Sequence, residues 1–359
     1  MSKCIVLTGG GTAGHVTPHM SIIPRLIEEG YQIHYIGTNN GIEHQLMCNY
    51  DNITYHSIRS GKLRRYFSWQ NFIDPFKVFW GFMESIKVMR SLKPNICFSK
   101  GGFVSVPVVL AASLMRVPII SHESDLSPGL ATRISSKFAK RVATTFPECA
   151  KSIGPKGIYT GTPLRPSLFD GKRENGLALT GFSGKKPILL MTGGSLGAQK
   201  VNSCLRECLS SLLPHMDILH LCGRGNLDDS LNNINGYCQK EFLNEEMADA
   251  IAVADIVLSR AGSNTLSELL ALQKPMLLVP YPLGAGRGDQ VENARLFESQ
   301  GLANVLYQED MTPTTMTKAI LSLLNEKEDR LLSLKEYPLK NGTDSIMELI
   351  EEYTRYDNE

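Results

Sequence analysis

The chain has 359 residues, of which 42% are hydrophobic and 20% charged. This length predicts two or three domains with ample core, and the composition excludes a disordered, collagen-like or coiled-coil protein. No run of about 18 apolar residues occurs, so no spanning helix is expected. The opening MSKCIVLTGGG lacks the layout of a signal peptide, and the eight cysteines include no CxxC pair. We expect reduced, mostly buried thiols.

The net charge of +1 is unevenly distributed along the chain. Residues 1–161 hold 18 lysines and arginines against 9 aspartates and glutamates, a balance of +9. Residues 162–359 hold 19 against 27, a balance of −8. The first part is therefore expected to favour an anionic partner such as a phosphate or an anionic membrane.

The first predicted element is a short apolar strand that runs into glycines and then an apolar helix pattern, in residues 3–14, KCIVLTGGGTAG. Residues 187–198, PILLMTGGSLGA, repeat this pattern. An offset of 184 residues places Thr8-Gly9-Gly10 on Thr192-Gly193-Gly194. The repeat indicates a duplication at the scale of a domain, and each copy is typical of the first βα unit of a doubly wound domain.

Strand-like and helix-like segments alternate through the rest of each half, which predicts an α/β fold with parallel sheets. Helices are expected at residues 106–115, 265–272, 289–299 and 343–353, and a Gly/Lys-rich surface loop at 171–186. The boundary is expected near GTPLRP, which gives domains at 1–161 and 162–340.

Three glycine-rich turns are expected at the carboxyl edges of the sheets, where open α/β domains bind ligands. They are Gly9–Gly14, Ser99–Phe103 and the GGS turn that ends at Ser195. Glycine lets the backbone approach a phosphate, and a helix N-terminus favours its charge. A nicotinamide cofactor is disfavoured because no carboxylate follows directly on the second strand. The sequence has no Walker loop, which disfavours ATP hydrolysis. It has no Asp-x-Asp motif, which disfavours a sugar nucleotide held by a metal ion. We therefore expect no metal and no cofactor.

A second polar cluster spans Arg260 to Glu268, RAGSNTLSE, between a strand and a helix. Two interpretations stay open. Ser263 or Asn264 caps the helix, and Glu268 only complements the helix dipole. Alternatively, the Glu268 carboxylate accepts hydrogen bonds from a ribose diol while the helix end faces a diphosphate.

Seven strings resemble, in order, those of MurG-type enzymes, the peptidoglycan N-acetylglucosaminyltransferases of the GT-B fold. The strings are GGGTAGHVTP, KGGFVSVP, HESDLSPGL, GTPLRP, GGSLGA, AGSNTLSELLAL and GRGDQVENA. The resemblance implies two Rossmann-like, doubly wound parallel-sheet domains facing a cleft, with a C-terminal helix within 341–359 packing back on the first. It implies UDP-N-acetylglucosamine as donor, undecaprenyl-linked lipid I as acceptor and lipid II as product, with inversion.

The resemblance also implies roles for individual residues at the donor. Leu243 would contact uracil through its backbone, Glu268 the ribose, Ser195 and Arg165 the diphosphate, and Gln290 the sugar. The remaining expected donor residues are Thr12, Ala13, Gly14, Asp125, Ser263, Asn264, Thr265, Leu266 and Ser267.

For the acceptor, the expected diphosphate contacts are Gly10, Gly11, Gly101 and Gly102. The expected catalytic base is His15, since histidine titrates near neutral pH and follows the first glycine turn. A carboxylate after the strand PIIS is the alternative, and His15 would then only position the loop or bind diphosphate. Asp125 departs from the family, which usually has Asn there, and a carboxylate only accepts hydrogen bonds.

Residues 62–90 are basic and aromatic, and they contain both tryptophans and five of the thirteen phenylalanines. The pattern predicts a segment that meets anionic lipid, and the alternative is a helix that buries its aromatic stripe. The expected membrane patch is Arg64, Arg65, Trp69, Phe76, Phe79 and Trp80. No RNP-like motif accompanies it, so no nucleic-acid partner is expected. The protein would attach peripherally to the cytoplasmic face of the membrane.

Four other functions remain possible on the sequence. A glycolipid synthase acting on diacylglycerol shares the fold and the membrane face. A sugar-nucleotide epimerase shares the fold but needs no lipid patch. A nicotinamide-dependent oxidoreductase or a non-catalytic nucleotide-binding module belongs to a different class.

Overall fold

The computed structural model describes residues 3–61, 70–194, 197–283 and 288–356. The chain forms two compact units, one of Met1–Arg165 with Lys340–Glu359 and one of Pro166–Leu339. The first unit extends to Arg165, where the sequence-based boundary stood at 161. Five of the six residues of GTPLRP therefore belong to the first unit.

Each unit is built on one all-parallel sheet, as the alternating pattern predicts. The strands of the first unit are β1 (Cys4–Gly9), β2 (Gln32–Gly37), β3 (Ile53–Ser57), β4 (Ile96–Gly101), β5 (Ile119–Glu123), β6 (Arg141–Thr144) and β7 (Gly157–Tyr159). Those of the second unit are β8 (Ile188–Thr192), β9 (Asp217–Leu221), β10 (Tyr237–Lys240), β11 (Ile256–Ser259), β12 (Met276–Leu278) and β13 (Asn304–Val305).

The helices follow the strands in the order expected of βα units. In the first unit they are α1 (Thr17–Glu28), α2 (Ile42–Met47), α3 (Gln70–Leu92), α4 (Ser105–Leu114), α5 (Leu130–Phe138) and α6 (Pro147–Ile153). Next come α7 (Arg173–Thr180), α8 (Gln199–Glu207), α9 (Leu209–Leu212), α10 (Met247–Val253), α11 (Ser263–Ala271), α12 (Asp289–Ser299), α13 (Pro313–Asn325) and α14 (Lys327–Glu336). The last helix, α15 (Gly342–Tyr356), belongs to the first unit.

The first sheet has apolar side chains on both faces, as is typical of a parallel sheet that helices cover on both sides. Along β1, Ile5 and Leu7 lie in a core cluster with α1, while Val6 lies in a cluster with α4 on the other face. Ile346 and Ile350 of α15 join the α1 cluster and are fully buried. The last helix is therefore part of the first unit's core.

The two sheets have corresponding strand orders, β3-β2-β1-β4-β5-β6-β7 and β10-β9-β8-β11-β12-β13. In each sheet the order reverses beside the first strand, between β1 and β4 and between β8 and β11. The carboxyl ends of strands at such a reversal form the ligand crevice of open α/β sheets. Each glycine turn of the internal repeat follows one of these strands.

The segment 171–186 was expected to be a surface loop, and this expectation is wrong. It contains α7, which packs against α10. A side chain at Gly176 would collide with the backbone carbonyl of Asp249 and the side chain of Val253. The glycine that suggested a loop instead allows this close helix contact.

Candidate functional site

In the first unit, the glycine turns after β1 and β4 touch each other. A side chain at Gly102 would meet the carbonyl oxygen of Gly10, and it would lie 3.3 Å from Nδ1 of His15. Gly101 and Gly102 have φ of +84° and +78°, which glycine adopts at little cost. The fold thus brings the four glycines expected at the acceptor diphosphate to one place beside His15.

His15 ends a short 3-10 helix, Ala13–His15, that follows the first glycine turn. Its backbone N–H donates to Thr12 O at 3.1 Å, and its Nδ1 lies 2.8 Å from Thr12 Oγ1. The ring is half-buried, whereas Thr12 is exposed. The imidazole is therefore oriented at the end of the turn, with Gly14 directly before it.

Glu43 holds the first glycine turn in place, and sequence reasoning missed it. Its buried carboxylate accepts hydrogen bonds from the Gly11 N–H at 3.1 Å and from Thr38 N at 3.1 Å and Oγ1 at 2.5 Å. The Gly11 N–H is thus engaged in this structure. Glu43 lies six residues beyond Gly37, the last residue of β2, which is why a search at the strand end finds no carboxylate.

Glu123 shapes the loop that carries Asp125. One oxygen accepts from the Asp125 N–H and the other from the Gly129 N–H, both at 3.0 Å. Both carboxylate oxygens of Glu123 are therefore engaged in holding the loop after β5. Asp125 itself is half-buried at the same sheet edge.

In the second unit, a cavity of about 240 Å³ opens at the carboxyl ends of β8 and β9 and beside α11. Three of the expected donor residues line it: Leu243, Thr265 and Glu268. The other lining residues are Leu190, Thr192, Gly194, Leu221, Glu241, Phe242, Asn244, Met247, Ile251 and Leu269. Their mixture of apolar walls and a few polar groups is typical of a small-molecule site.

The start of α11 bears on the capping interpretation of the Arg260–Glu268 cluster. Gly262 is the N-cap residue, and no side chain caps the helix. The capping role considered for Ser263 or Asn264 is therefore wrong, because glycine already provides the extended backbone that begins the helix. Glu268 lines the cavity, and Gly262 provides no capping side chain at the start of α11.

Several expected donor residues do not line this cavity. Ser263, Leu266 and Ser267 are buried, and the Ser267 hydroxyl donates to Ser263 O at 2.9 Å. Gln290 accepts from the Tyr281 N–H at 3.0 Å, which fixes the segment after β12. Arg165, the last residue of the first unit's main segment, is an electrostatic neighbour of Tyr50.

The side chain of Ala13 is not described, and four expected site residues lie outside the described residues: Arg64, Arg65, Trp69 and Ser195. Within the described ranges, no group of three or more His, Cys, Asp or Glu side chains is placed to hold a metal ion.

Sequence reasoning also missed two positioning contacts in the second unit. The Arg224 guanidinium lies 5.2 Å from the ring centre of Phe242, which lines the cavity. Arg260 donates to Val279 O at 3.1 Å and Gln308 Oε1 at 2.8 Å. Its burial lowers the pKa of its guanidinium. Both contacts join segments distant in sequence, so no local pattern signals them.

Two family models match most of the chain. The glycosyltransferase family 28 N-terminal domain covers residues 5–144, and the glycosyltransferase family 28 C-terminal domain covers residues 188–350. The chain belongs to glycosyltransferase family 28. The matched regions contain the paired glycine turns and the cavity, respectively.

Two curated proteins are similar to this chain over almost its whole length. A Clostridium kluyveri protein is 50% identical over 352 residues, covering 98% of this chain and 99% of that protein. A Bacillus thuringiensis protein is 51% identical over 349 residues, covering 97% and 98%. Both are named as UDP-N-acetylglucosamine–N-acetylmuramyl-(pentapeptide) pyrophosphoryl-undecaprenol N-acetylglucosamine transferases.

Solved structures agree with the GT-B fold expected from the sequence. The crystal structure of Acinetobacter baumannii MurG has a TM-score of 0.76 and 25% identity, and the match covers 98% of this chain and 99% of that one. A putative UDP-N-acetylglucosamine 2-epimerase from Listeria monocytogenes has a TM-score of 0.67 at 12% identity. The second likeness shows the fold alone.

Proposed function

We propose that this chain transfers N-acetylglucosamine from UDP-N-acetylglucosamine to lipid I, the undecaprenyl-linked muramoyl-pentapeptide diphosphate. It is a family 28 glycosyltransferase, and its product is lipid II for peptidoglycan synthesis. The observation that carries this proposal is the near-full-length identity of about half to curated transferases with that reaction in their names. The cavity lined by Glu268 and Leu243 supports a nucleotide-sugar donor.

The donor binds in the second unit. Leu243 contacts the uracil through its backbone, and Glu268 accepts from the ribose hydroxyls. The N-terminus of α11 and the turn at Ser195 stabilise the diphosphate with backbone N–H groups, as a helix end does for an anion. Arg165 neutralises departing UDP, and Gln290 contacts the sugar. Donor N–H groups fixed where charge develops lower the barrier to departure.

His15 acts as the general base. With Nδ1 protonated and donating to Thr12, Nε2 carries the lone pair that removes the proton from the acceptor hydroxyl. The hydroxyl oxygen then attacks the anomeric carbon as the bond to UDP breaks, which inverts that centre. Asp125 is the alternative base, because both oxygens of Glu123 are engaged by backbone donors.

The acceptor diphosphate binds at the touching glycine turns of the first unit, and α3 brings the protein to the membrane. Phe76, Phe79, Trp80 and Met83 are exposed on α3. None of the helices among the described residues is long and apolar enough to cross a bilayer. Peripheral attachment to an anionic cytoplasmic face follows from aromatic insertion and the basic charges around it.

Transfer of radiolabelled N-acetylglucosamine from its UDP donor to a soluble lipid I analogue tests this function. We expect labelled disaccharide product with the lipid I analogue and none with diacylglycerol. Label on diacylglycerol but not on the analogue would establish the glycolipid synthase instead. Donor binding without transfer to either acceptor would indicate a non-catalytic module.

A further inference from the structure

A buried lysine lies under the paired glycine turns of the first unit. Lys100, the residue before Gly101, is only 2% exposed. A side chain at Gly9 would meet both the Lys100 stem and the His19 ring. The ammonium donates to Ser124 Oγ at 2.5 Å. This hydrogen bond links the end of β4 to the loop after β5.

Two neutral histidines face the same buried region. Burial and the charge of Lys100 lower the pKa of His19 to about 3 and that of His122 well below its ordinary value. Both rings are therefore neutral near pH 7. Each carries one ring nitrogen with a hydrogen and one with a lone pair.

Hydrogen bonds assign which nitrogen carries the lone pair. The Tyr35 hydroxyl donates to Gly9 O at 2.8 Å, so His19 Nδ1 must donate to that hydroxyl, at 3.2 Å. His122 Nε2 donates to Gly161 O at 3.3 Å. The lone pairs lie on His19 Nε2 and His122 Nδ1. Among the described residues, neither atom has a hydrogen-bond partner.

The donors and acceptors of this buried cluster match in number. The Lys100 ammonium has three N–H donors, and one of them donates to Ser124 Oγ. The two other N–H donors equal in number the two histidine lone pairs, and an ordered water could bridge a donor to a lone pair. The charge of Lys100 also lowers the pKa of both histidines, so the three groups are electrostatically coupled.

The charge of Lys100 is balanced by two carboxylates at the same sheet edge. Glu123 and Asp125 both favour the ammonium and raise its pKa, although burial lowers it overall. Without the lysine, these two carboxylates would oppose any anion that approaches Gly101 and Gly102. An anion site beside two carboxylates requires a compensating cation.

We propose that Lys100 is a positioning residue for the acceptor, whose buried ammonium offsets Glu123 and Asp125 so that a diphosphate can bind at Gly101 and Gly102. This inference rests on the proposed transfer reaction. It assigns Lys100 to acceptor affinity and not to the donor.

The test is the Lys100→Met variant in the labelled transfer assay, with Lys140→Met as matched control. Lys140 is an exposed lysine that directly precedes β6, at the opposite edge of the same sheet. We expect the Michaelis constant for the lipid I analogue to rise about tenfold or more, because a unit charge at low effective dielectric acts over several ångströms. The Michaelis constant for UDP-N-acetylglucosamine should stay within about twofold of wild type.

Two further measurements separate charge from structure. The inhibition constant of geranyl diphosphate, a sugar-free anion, should rise in parallel with the acceptor constant. In the Asp125→Asn background, Lys100→Met should raise the Michaelis constant for the lipid I analogue by a smaller factor, because one opposing carboxylate is gone. If Lys100→Met does not fold, Lys100→Gln serves in all comparisons, since its amide still donates to Ser124.

Equal increases in the donor and acceptor constants, or an unchanged geranyl diphosphate constant, would overturn the role of Lys100. Wild-type protein that transfers no label would instead overturn the proposed function. The two failures are therefore distinguishable in one experiment.

Discussion

At the scale of single residues, His15 carries the proposed proton transfer. Replacing it with alanine removes the base that Thr12 orients, so we expect the turnover number to fall about 100-fold or more. The donor's Michaelis constant should change little, since His15 lies in the first unit. Steady-state kinetics with the lipid I analogue measure both quantities. His215→Ala, at an exposed histidine of the second unit, is the control. Full activity of His15→Ala together with loss of activity in Asp125→Asn would show that Asp125, and not His15, is the general base.

Glu268 is the residue on which the donor site depends most. Glu268→Gln keeps the shape but removes the charge that strengthens hydrogen bonds to a ribose diol, so donor affinity should fall about tenfold or more. Titration calorimetry with UDP checks this, and Glu298→Gln, at an exposed position of α12, is the control. Unchanged UDP affinity in Glu268→Gln would place the ribose elsewhere.

Local motifs in the sequence indicated the candidate-site residues of the turns and of α11, whereas residues that reach these elements from a distance in the sequence were missed. Glycine turns and the start of α11 are signalled by strand–glycine–helix patterns within about ten residues. Glu43, by contrast, bonds to Gly11 across 32 positions. Lys100 reaches Ser124 across 24 positions. Such contacts depend on which strands are neighbours, and a single sequence does not state that order.

At the scale of elements, α3 is the surface that should meet the membrane. Phe79 and Trp80 are 56% and 52% exposed. A helix that buries its aromatic stripe in the core would not leave these two side chains so exposed. The double variant Phe79→Ala/Trp80→Ala should bind anionic vesicles at least about tenfold more weakly, because each aromatic contributes on the order of 2 kcal/mol on burial. Vesicle co-sedimentation measures this binding.

The control for α3 is Leu332→Ala, which removes an exposed apolar side chain from α14 in the second unit. It should bind vesicles as wild type does. Equal binding by the double variant and wild type, or an equal loss in both variants, would contradict the assignment of α3 as the membrane surface.

Long apolar or strongly periodic elements were predictable, and short or polar ones were not. The helix expected at 289–299 is α12 with the same bounds, Asp289–Ser299. The strands β7 and β10 carry no clear strand pattern, since β7 has only three residues, GIY, and β10 reads YCQK. Neighbouring strands supply the backbone hydrogen bonds that such short segments need, so their formation depends on tertiary structure.

At the scale of the whole molecule, the internal repeat predicted the paired sheets. The glycine turns at Gly9 and Gly193 each follow the strand beside which the sheet order reverses. The repeat was detectable because strand, turn and helix occupy adjacent residues in both copies. The place of Lys340–Glu359 in the first unit was expected only from the family resemblance, because it depends on packing that the residue pattern alone does not reveal.

Acid should destabilise the chain through a buried histidine in each unit. Burial is the main cause that lowers the pKa of both His19 and His220 to about 3, against 6.5 for an ordinary histidine. The unfolded chain therefore binds protons that the folded chain does not, and stability present above pH 6.5 is lost as pH falls towards 3. The free energy of unfolding should fall by about 1.4 kcal/mol per pH unit for each histidine.

Urea unfolding at pH 7, 6 and 5 checks this dependence. In His220→Gln the free energy of unfolding should depend less steeply on pH, because the contribution of one histidine is lost. In the wild type, His220 is held neutral between Tyr237 and Asn202. His215→Gln, at an exposed position, should keep the wild-type slope. Identical slopes in wild type and His220→Gln would contradict the buried neutral state of His220.

The most direct test of the account is where UDP binds in a crystal of the protein grown with the nucleotide. We predict uracil beside Leu243, the ribose hydroxyls on Glu268 and the diphosphate at the start of α11, all in the second unit. Nucleotide bound instead at the Gly9–Gly14 turn of the first unit would contradict the assignment of donor and acceptor on which the mechanism rests.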